Sequence, residues 1–236
     1  TEGINLTFND TATDPDGTIP TLTTSALPTG ATFVNNLNGT GTFNWTPTFV
    51  QNGSYNITFR ASDGTLVDTE IVVITVNEAG NQAPVLALIG NRSVTEGINL
   101  TFNDTATDPD GTIPTLTTSA LPTGATFVNN LNGTGTFNWT PTFVQNGSYN
   151  ITFRATDGTL VDTEIVTITV TDAGNQAPVL AAIGNRSITE GINLTFNDTA
   201  TDPDGTIPTL TTSALPTGAT FVNNLNGTGT FNWTPT

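Results

Sequence analysis

Carboxylates are the charged side chains that recur at fixed spacing in this sequence, and carboxylates on turns are ligands for hard cations. Within one stretch they fall at Glu96, at Asp108-Pro109-Asp110-Gly111 and at Asp157-Gly158. Twenty charged residues are acidic and four basic, for a net charge of −16. A field of that sign excludes nucleic acid and anionic membrane as partners and favours cations. Other reactive types are missing. There is no Cys and no His, and the positive charges are Arg60, Arg92, Arg154 and Arg186. This rules out disulfides, thiolate zinc sites, imidazole bases and lysine chemistry. Carboxylate acid–base catalysis would need a pair about 5–9.5 Å apart. Asp108 and Asp110 are close, but they share a turn and no nucleophile accompanies them. The expectation is that the chain is not an enzyme.

A second chemistry is N-linked glycosylation. Asn-x-Ser/Thr occurs at Asn5, Asn9, Asn38, Asn44, Asn52, Asn56 and Asn91, then at Asn99, Asn103, Asn132, Asn138, Asn146, Asn150 and Asn185. Four more stand at Asn193, Asn197, Asn226 and Asn232. Random placement of the same Asn, Ser and Thr would give about 2.6 per 94 residues rather than seven. Asn favours turns and Thr favours strands, which accounts for part of the excess. Asn44 and Asn56 are different, because they are expected in mid-strand with their Thr partners on the same solvent face. Glycans there would cover the sheets and block edge-to-edge pairing.

These residues need elements to position them, and the elements repeat. Residues 1–94 and 95–188 differ only at positions 62, 73, 77, 78, 88 and 94, and residues 189–236 repeat 95–142 without change. A fixed long period outranks local signals. Leu, Ile, Val and Phe supply 26 of the first 94 residues, enough for one core. No apolar run approaches the roughly 20 residues of a membrane helix, so no direct membrane insertion is expected.

Reading from Asn81 gives a whole unit. Residues 85–89 form a short apolar strand. Ile98, Leu100 and Phe102 alternate with polar residues, as do Phe137 with Trp139, Tyr149 with Ile151 and Phe153, and Val166 with Ile168 and Val170. Period-2 alternation marks strands with one buried face. Asp108-Pro109-Asp110-Gly111, Leu121-Pro122-Thr123-Gly124 and Asn132-Gly133 are turns. About seven short strands and no helical period point to an all-β fold of antiparallel sandwiches, head to tail. In this frame residues 1–80 are a repeat without its first strand, 81–174 a complete repeat, and 175–236 a repeat without its last two strands. Two origins stay open: a stretch of a longer array, or a polymer whose neighbouring chains share strands.

The motif order is specific. Asn81-Gln82-Ala83-Pro84, Thr95-Glu96-Gly97, Ala106-Thr107-Asp108-Pro109-Asp110-Gly111, Leu121-Pro122-Thr123-Gly124, Thr136-Phe137-Asn138-Trp139-Thr140-Pro141 and Ala155-Thr156-Asp157-Gly158 together resemble the cadherin-like, immunoglobulin-type tandem repeats of bacterial and archaeal surface proteins. The resemblance implies Ig-like sandwiches in tandem, outside the cell or on its surface. It also implies Ca²⁺. Glu96, Asp108 with Asp110, and Asp157 match the calcium ligands of cadherin repeats, and residues 172–178 loosely match their acidic linker. Where cadherins carry an acidic triplet, this chain has Val144-Gln145-Asn146 and so lacks one carboxylate.

Stacking such units would bring Glu2, Glu78 and Asn81 against Asp108, Asp110 and Asp157. At the second junction the set is Glu96, Asp172, Asn175, Asp202 and Asp204. Clustered carboxylates repel unless a cation sits among them. The alternative is that these are good turns and solvated loop charges. The function expected is an extracellular structural or adhesive repeat that self-associates into a fibre or array and carries N-linked glycans. The competing expectation is a carbohydrate- or ligand-binding module, for which Phe143 is the one aromatic expected to be exposed.

Overall fold

The computed structural model describes residues 1–236 and is all-β. It contains no helix long and apolar enough to cross a membrane. Residues 1–80 hold β1 (Leu6–Thr11), β2 (Thr21–Thr24), β3 (Thr32–Asn35), β4 (Thr40–Trp45), β5 (Gly53–Ser62) and β6 (Val67–Val76). The next 94 residues hold β7 (Val85–Leu86), β8 (Arg92–Thr95), β9 (Leu100–Thr107), β10 (Thr115–Thr118), β11 (Thr126–Asn129), β12 (Thr134–Trp139), β13 (Gly147–Thr156) and β14 (Val161–Thr171). The rest hold β15 (Val179–Leu180), β16 (Leu194–Thr201), β17 (Thr220–Asn223) and β18 (Thr228–Trp233).

The middle unit has two four-stranded sheets, β11-β12-β9-β7 and β10-β13-β14-β8. Their inner faces meet because the alternating apolar residues of β12, β13 and β14 all point inward. Phe137, Trp139, Ile151, Phe153, Val166 and Ile168 are buried in one core. Phe153 lies at the centre of an aromatic cluster, within 6.1 Å of the ring centroids of Phe102, Phe127 and Phe137. Small residues make room for it. A Cβ at Gly135 would stand 2.2 Å from Phe127 Cζ, so that strand position accepts only glycine.

Three details differ from the sequence reading. The unit has eight strands, because residues 85–95 split into β7 on one sheet and β8 on the other. β8 pairs parallel with β14, so the pairing is not wholly antiparallel. Ile98 is exposed, because Ile98 N bonds back to Thr95 O in a turn and β9 starts only at Leu100. Phe143 is half-buried: its ring covers Gly97, where a Cβ would meet Phe143 Cζ at 2.8 Å.

The flanking units keep the same registers with fewer strands. Residues 1–80 form three-stranded sheets β1-β4-β3 and β2-β5-β6. Residues 175–236 form one sheet, β15-β16-β18-β17.

Candidate functional site: the acidic junctions

Glu96 sits in the turn after β8, held by Glu96 N to Thr171 O (3.0 Å) and Gly97 N to Pro141 O (2.7 Å). Its side chain is buried. Oε1 accepts Gln145 N at 3.0 Å and Oε2 accepts Ala173 N at 3.2 Å. One carboxylate thus ties the outgoing linker to two turns at the pole of the sandwich. Glu2 grips the linker of the first unit through one oxygen only, Oε2 accepting Ala79 N at 3.2 Å. Its Oε1 is buried without a partner. Neither residue is a solvated loop charge.

The far side of each junction is built from the loops after β9 and β13. Asp108 Oδ1 accepts Asp110 N at 2.8 Å, and Asp110 Oδ2 accepts Gln82 N from the linker. Asp157 Oδ1 accepts the N–H groups of Thr159 and Leu160 at 2.6 and 2.7 Å, and Oδ2 accepts Asn81 Nδ2 at 2.7 Å. Those backbone donors, then Asn81, hold the Asp157 carboxyl well below the usual carboxylate range. The loops bearing Asp108, Asp110 and Asp157 therefore meet at one pole around Asn81 and Gln82, as sequence reasoning places them. Asp108 Oδ2 is buried there without a partner. At the second junction Asp202 Oδ1 accepts Asp204 N (2.9 Å) and Asp204 Oδ2 accepts Gln176 N.

A cleft of about 270 Å³ opens between the second and third units, lined by Glu96, Asp172, Asn175 and Asp204 together with Phe143 and Asn146. Asp202 does not line it. Glu78 projects into solvent, and Asp172 Oδ1 is occupied by Gly174 N at 2.7 Å. No three acidic side chains are arranged to hold one metal ion. The carboxylates gather at the junctions, but backbone N–H groups hold most of them apart. Glu2 Oε1 and Asp108 Oδ2 are the two junction oxygens that are buried and free to accept a cation.

Every one of the eighteen sequon asparagines is exposed. Some are already engaged. Asn99 Nδ2 donates to Asn138 Oδ1 (3.0 Å) and Thr140 Oγ1 (3.1 Å), and Asn5 with Asn44 and Asn193 with Asn232 repeat the pattern. Asn38 and Asn132 accept from Thr40 and Thr134, closing their turns. Asn52 and Asn146 lie on loops without a hydrogen bond of this kind, Asn146 at the wall of the acidic cleft.

Sequence reasoning missed a second set of inward carboxylates. Asp104 on β9 is 1% exposed and both its oxygens lack partners. Burial raises its carboxyl to about 6, assisted by the nearby charge of Glu164. On β14, Asp162 Oδ2 accepts Leu86 N (2.9 Å), and Glu164 accepts Ile89 N (2.7 Å) and Gly90 N (2.8 Å). The alternation was there to read. Asp162 and Glu164 share a strand face with Val166, Ile168 and Val170, and Asp104 shares one with Phe102 and Ala106.

Chitinase A of Pseudoalteromonas piscicida is 30% identical over 154 residues, covering 65% of this chain; the chain spans 18% of that relative's length. Among solved structures, the endo-fucoidan hydrolase MfFcnA4 from glycoside hydrolase family 107 is 22% identical, with a TM-score of 0.39 over 99% of this chain and 38% of the other. Titin Ig tandem domains are 9% identical, with a TM-score of 0.35 over 72% of this chain and 90% of theirs. The family described as Putative Ig domain matches residues 1–77 and 83–171, and the chain belongs to it.

Proposed function

We propose that the chain is an extracellular or cell-surface structural repeat. It forms a non-catalytic stalk or fibre, coated with N-linked glycans and stiffened at its junctions by Ca²⁺. The observation that carries this reading is that both junctions are built alike. A buried glutamate grips the outgoing linker, through Ala79 N and Ala173 N, and an aspartate of the next unit takes the following amide, Gln82 N and Gln176 N. Repetition of one junction yields length and stiffness, with no unit chemically distinct from the next.

Glu2 and Asp108 at the first junction, and Glu96, Asp172, Asn175 and Asp204 at the second, would hold the cation. Ca²⁺ would neutralise their repulsion and accept water for the rest of its 6–8 oxygens. Exposure of all eighteen sequons supports glycosylation.

The second reading, a carbohydrate-associated module, is favoured by the similarity to Chitinase A, a fraction of whose length the chain covers. Half-burial of Phe143 removes the one aromatic platform expected for it.

Protein purified from its native source tests the main reading. Its proteolytic peptides that carry the sequons should be heavier than their bare sequences, and the protein should appear in electron micrographs as thin threads. Bare peptide masses together with compact particles would contradict it.

A further inference from the structure

Asn-Gly is the dipeptide in which a chain attacks itself most readily. With no Cβ in the way, the glycine amide nitrogen can reach the asparagine Cγ and close a five-membered ring. Five such pairs occur here, and the structure divides them into two kinds. Asn38, Asn132 and Asn226 sit at hairpin tips and are pinned. Asn132 Oδ1 accepts Thr134 N at 3.1 Å and Thr134 Oγ1 at 2.7 Å, and a Cβ at Gly133 would stand 2.8 Å from Ala106 O. Asn52-Gly53 and Asn146-Gly147 are free. Their asparagines are exposed on loops with no side-chain hydrogen bond, and a Cβ at either glycine would meet nothing within 4 Å. Gly147 is the first residue of β13, so ring closure there disturbs only the end of the ladder with β14.

Gln145 decides where Asn146 stands. Gln145 N donates to Glu96 Oε1 at 3.0 Å, Gln145 Nε2 donates to Thr123 O at 3.1 Å, and Gln145 O accepts the Tyr149 hydroxyl at 3.0 Å. The residue before Asn146 is therefore fixed at the pole of the sandwich. Asn146 itself stands at the wall of the cleft that Glu96, Asp172 and Asp204 also line.

We propose that Asn146 is a self-modifying site, whose side-chain amide is lost to the Gly147 amide and replaced by a carboxylate that faces the junction cleft and takes a divalent cation there. The Gly147 nitrogen bonds to Asn146 Cγ, the Cγ–Nδ2 bond breaks, and the nitrogen leaves as ammonia with the proton of the Gly147 amide. Water then opens the ring at Cγ, giving aspartate, or at the Asn146 main-chain carbonyl carbon, giving isoaspartate. Either way the imide nitrogen regains a proton and one negative charge is added beside Glu96, Asp172 and Asp204. The cation part rests on the proposed function, whereas the loss of the amide does not.

Because Asn146 is also a sequon, the whole chain is made in cells without N-glycosylation and kept warm at mildly alkaline pH. Peptide mapping should find aspartate and isoaspartate at 146 forming at least about tenfold faster than at 132, where two hydrogen bonds must break first. Equal rates, or an Asn146 that stays intact, would overturn the assignment. Calorimetric titration with Ca²⁺ then compares fresh chain with Asn146→Asp. The variant should bind at least about tenfold more tightly, because the charge of the ligand set governs affinity. Adding Asp172→Asn should remove the gain, and a gain that survives it would place the cation outside the cleft and overturn the proposal. Equal binding by fresh chain and variant would overturn this inference and leave the junction reading standing. Binding by the variant alone would support the inference and remove that reading from the unmodified junction. Absence of binding by both would sink the two together.

Discussion

Replacing Trp139 with alanine should destabilise the middle unit by about 3–5 kcal/mol, a large share of the 5–15 kcal/mol that holds a typical domain together. Trp139 is fully buried, and Tyr149 meets it edge-on at 4.9 Å with an interplanar angle of 83°. The lost ring would leave a cavity between β12 and β13 that neither strand can close, because both are pinned by ladder bonds on each side. Trp233 occupies the same position in the third unit but is only half-buried. Its truncation removes less packing and should cost measurably less. Urea unfolding followed by circular dichroism checks the pair. Equal, small effects from Trp139→Ala and Trp233→Ala would show that the middle core is not built as described.

The second large effect is a dependence on pH. Asp104 titrates at about 6 in the folded chain, against an ordinary value of 3.8, and burial is the main cause. A carboxyl whose folded value is raised favours the fold when protonated. That contribution is complete below the unfolded value and is lost as pH rises through 6. The middle unit should therefore gain stability between pH 7 and pH 5, by about 1 kcal/mol, because only the part of the shift lying above pH 5 is realised in that window. Asp157 works in the opposite direction but lower down. Its depressed carboxyl keeps its contribution above 3.8 and loses it in stronger acid, outside this window. Asp104→Asn should be more stable than the parent at pH 7 and should lose the gain at pH 5. A parent chain that weakens steadily from pH 7 to pH 5 would contradict the placement of Asp104.

Much of the architecture was legible in the residues. Phe137 and Trp139, or Ile151 and Phe153, alternate so regularly that their faces follow from the two-residue pleat alone. The junction loops were legible too, because successive turns of a sandwich fall at defined poles, and Asp110 and Asp157 meet the linker as that logic requires. What escaped was set by contacts distant in sequence. The division of residues 85–95 into β7 and β8 depends on Asp162 and Glu164, some 75 positions away, taking the amides between them. Ile98 has the right spacing for β9, but the Thr95–Ile98 turn holds it out of the ladder. For Glu2 and Glu96 the sequence left calcium ligand and solvated loop charge both open, because its pattern carries no sign that a carboxylate will be buried against backbone amides. Phe143 read as exposed because its cover is a glycine, Gly97, which leaves no apolar mark.

We propose that the acidic junctions, closed by a divalent cation, hold the sandwiches in a fixed extended line. Small-angle X-ray scattering of the whole chain in Ca²⁺ and then in chelator tests it most directly. Ca²⁺ should give the profile of a stiff, elongated particle, and chelator should shorten and broaden the distance distribution as Glu96, Asp172 and Asp204 repel one another. Two superimposable profiles would contradict the claim.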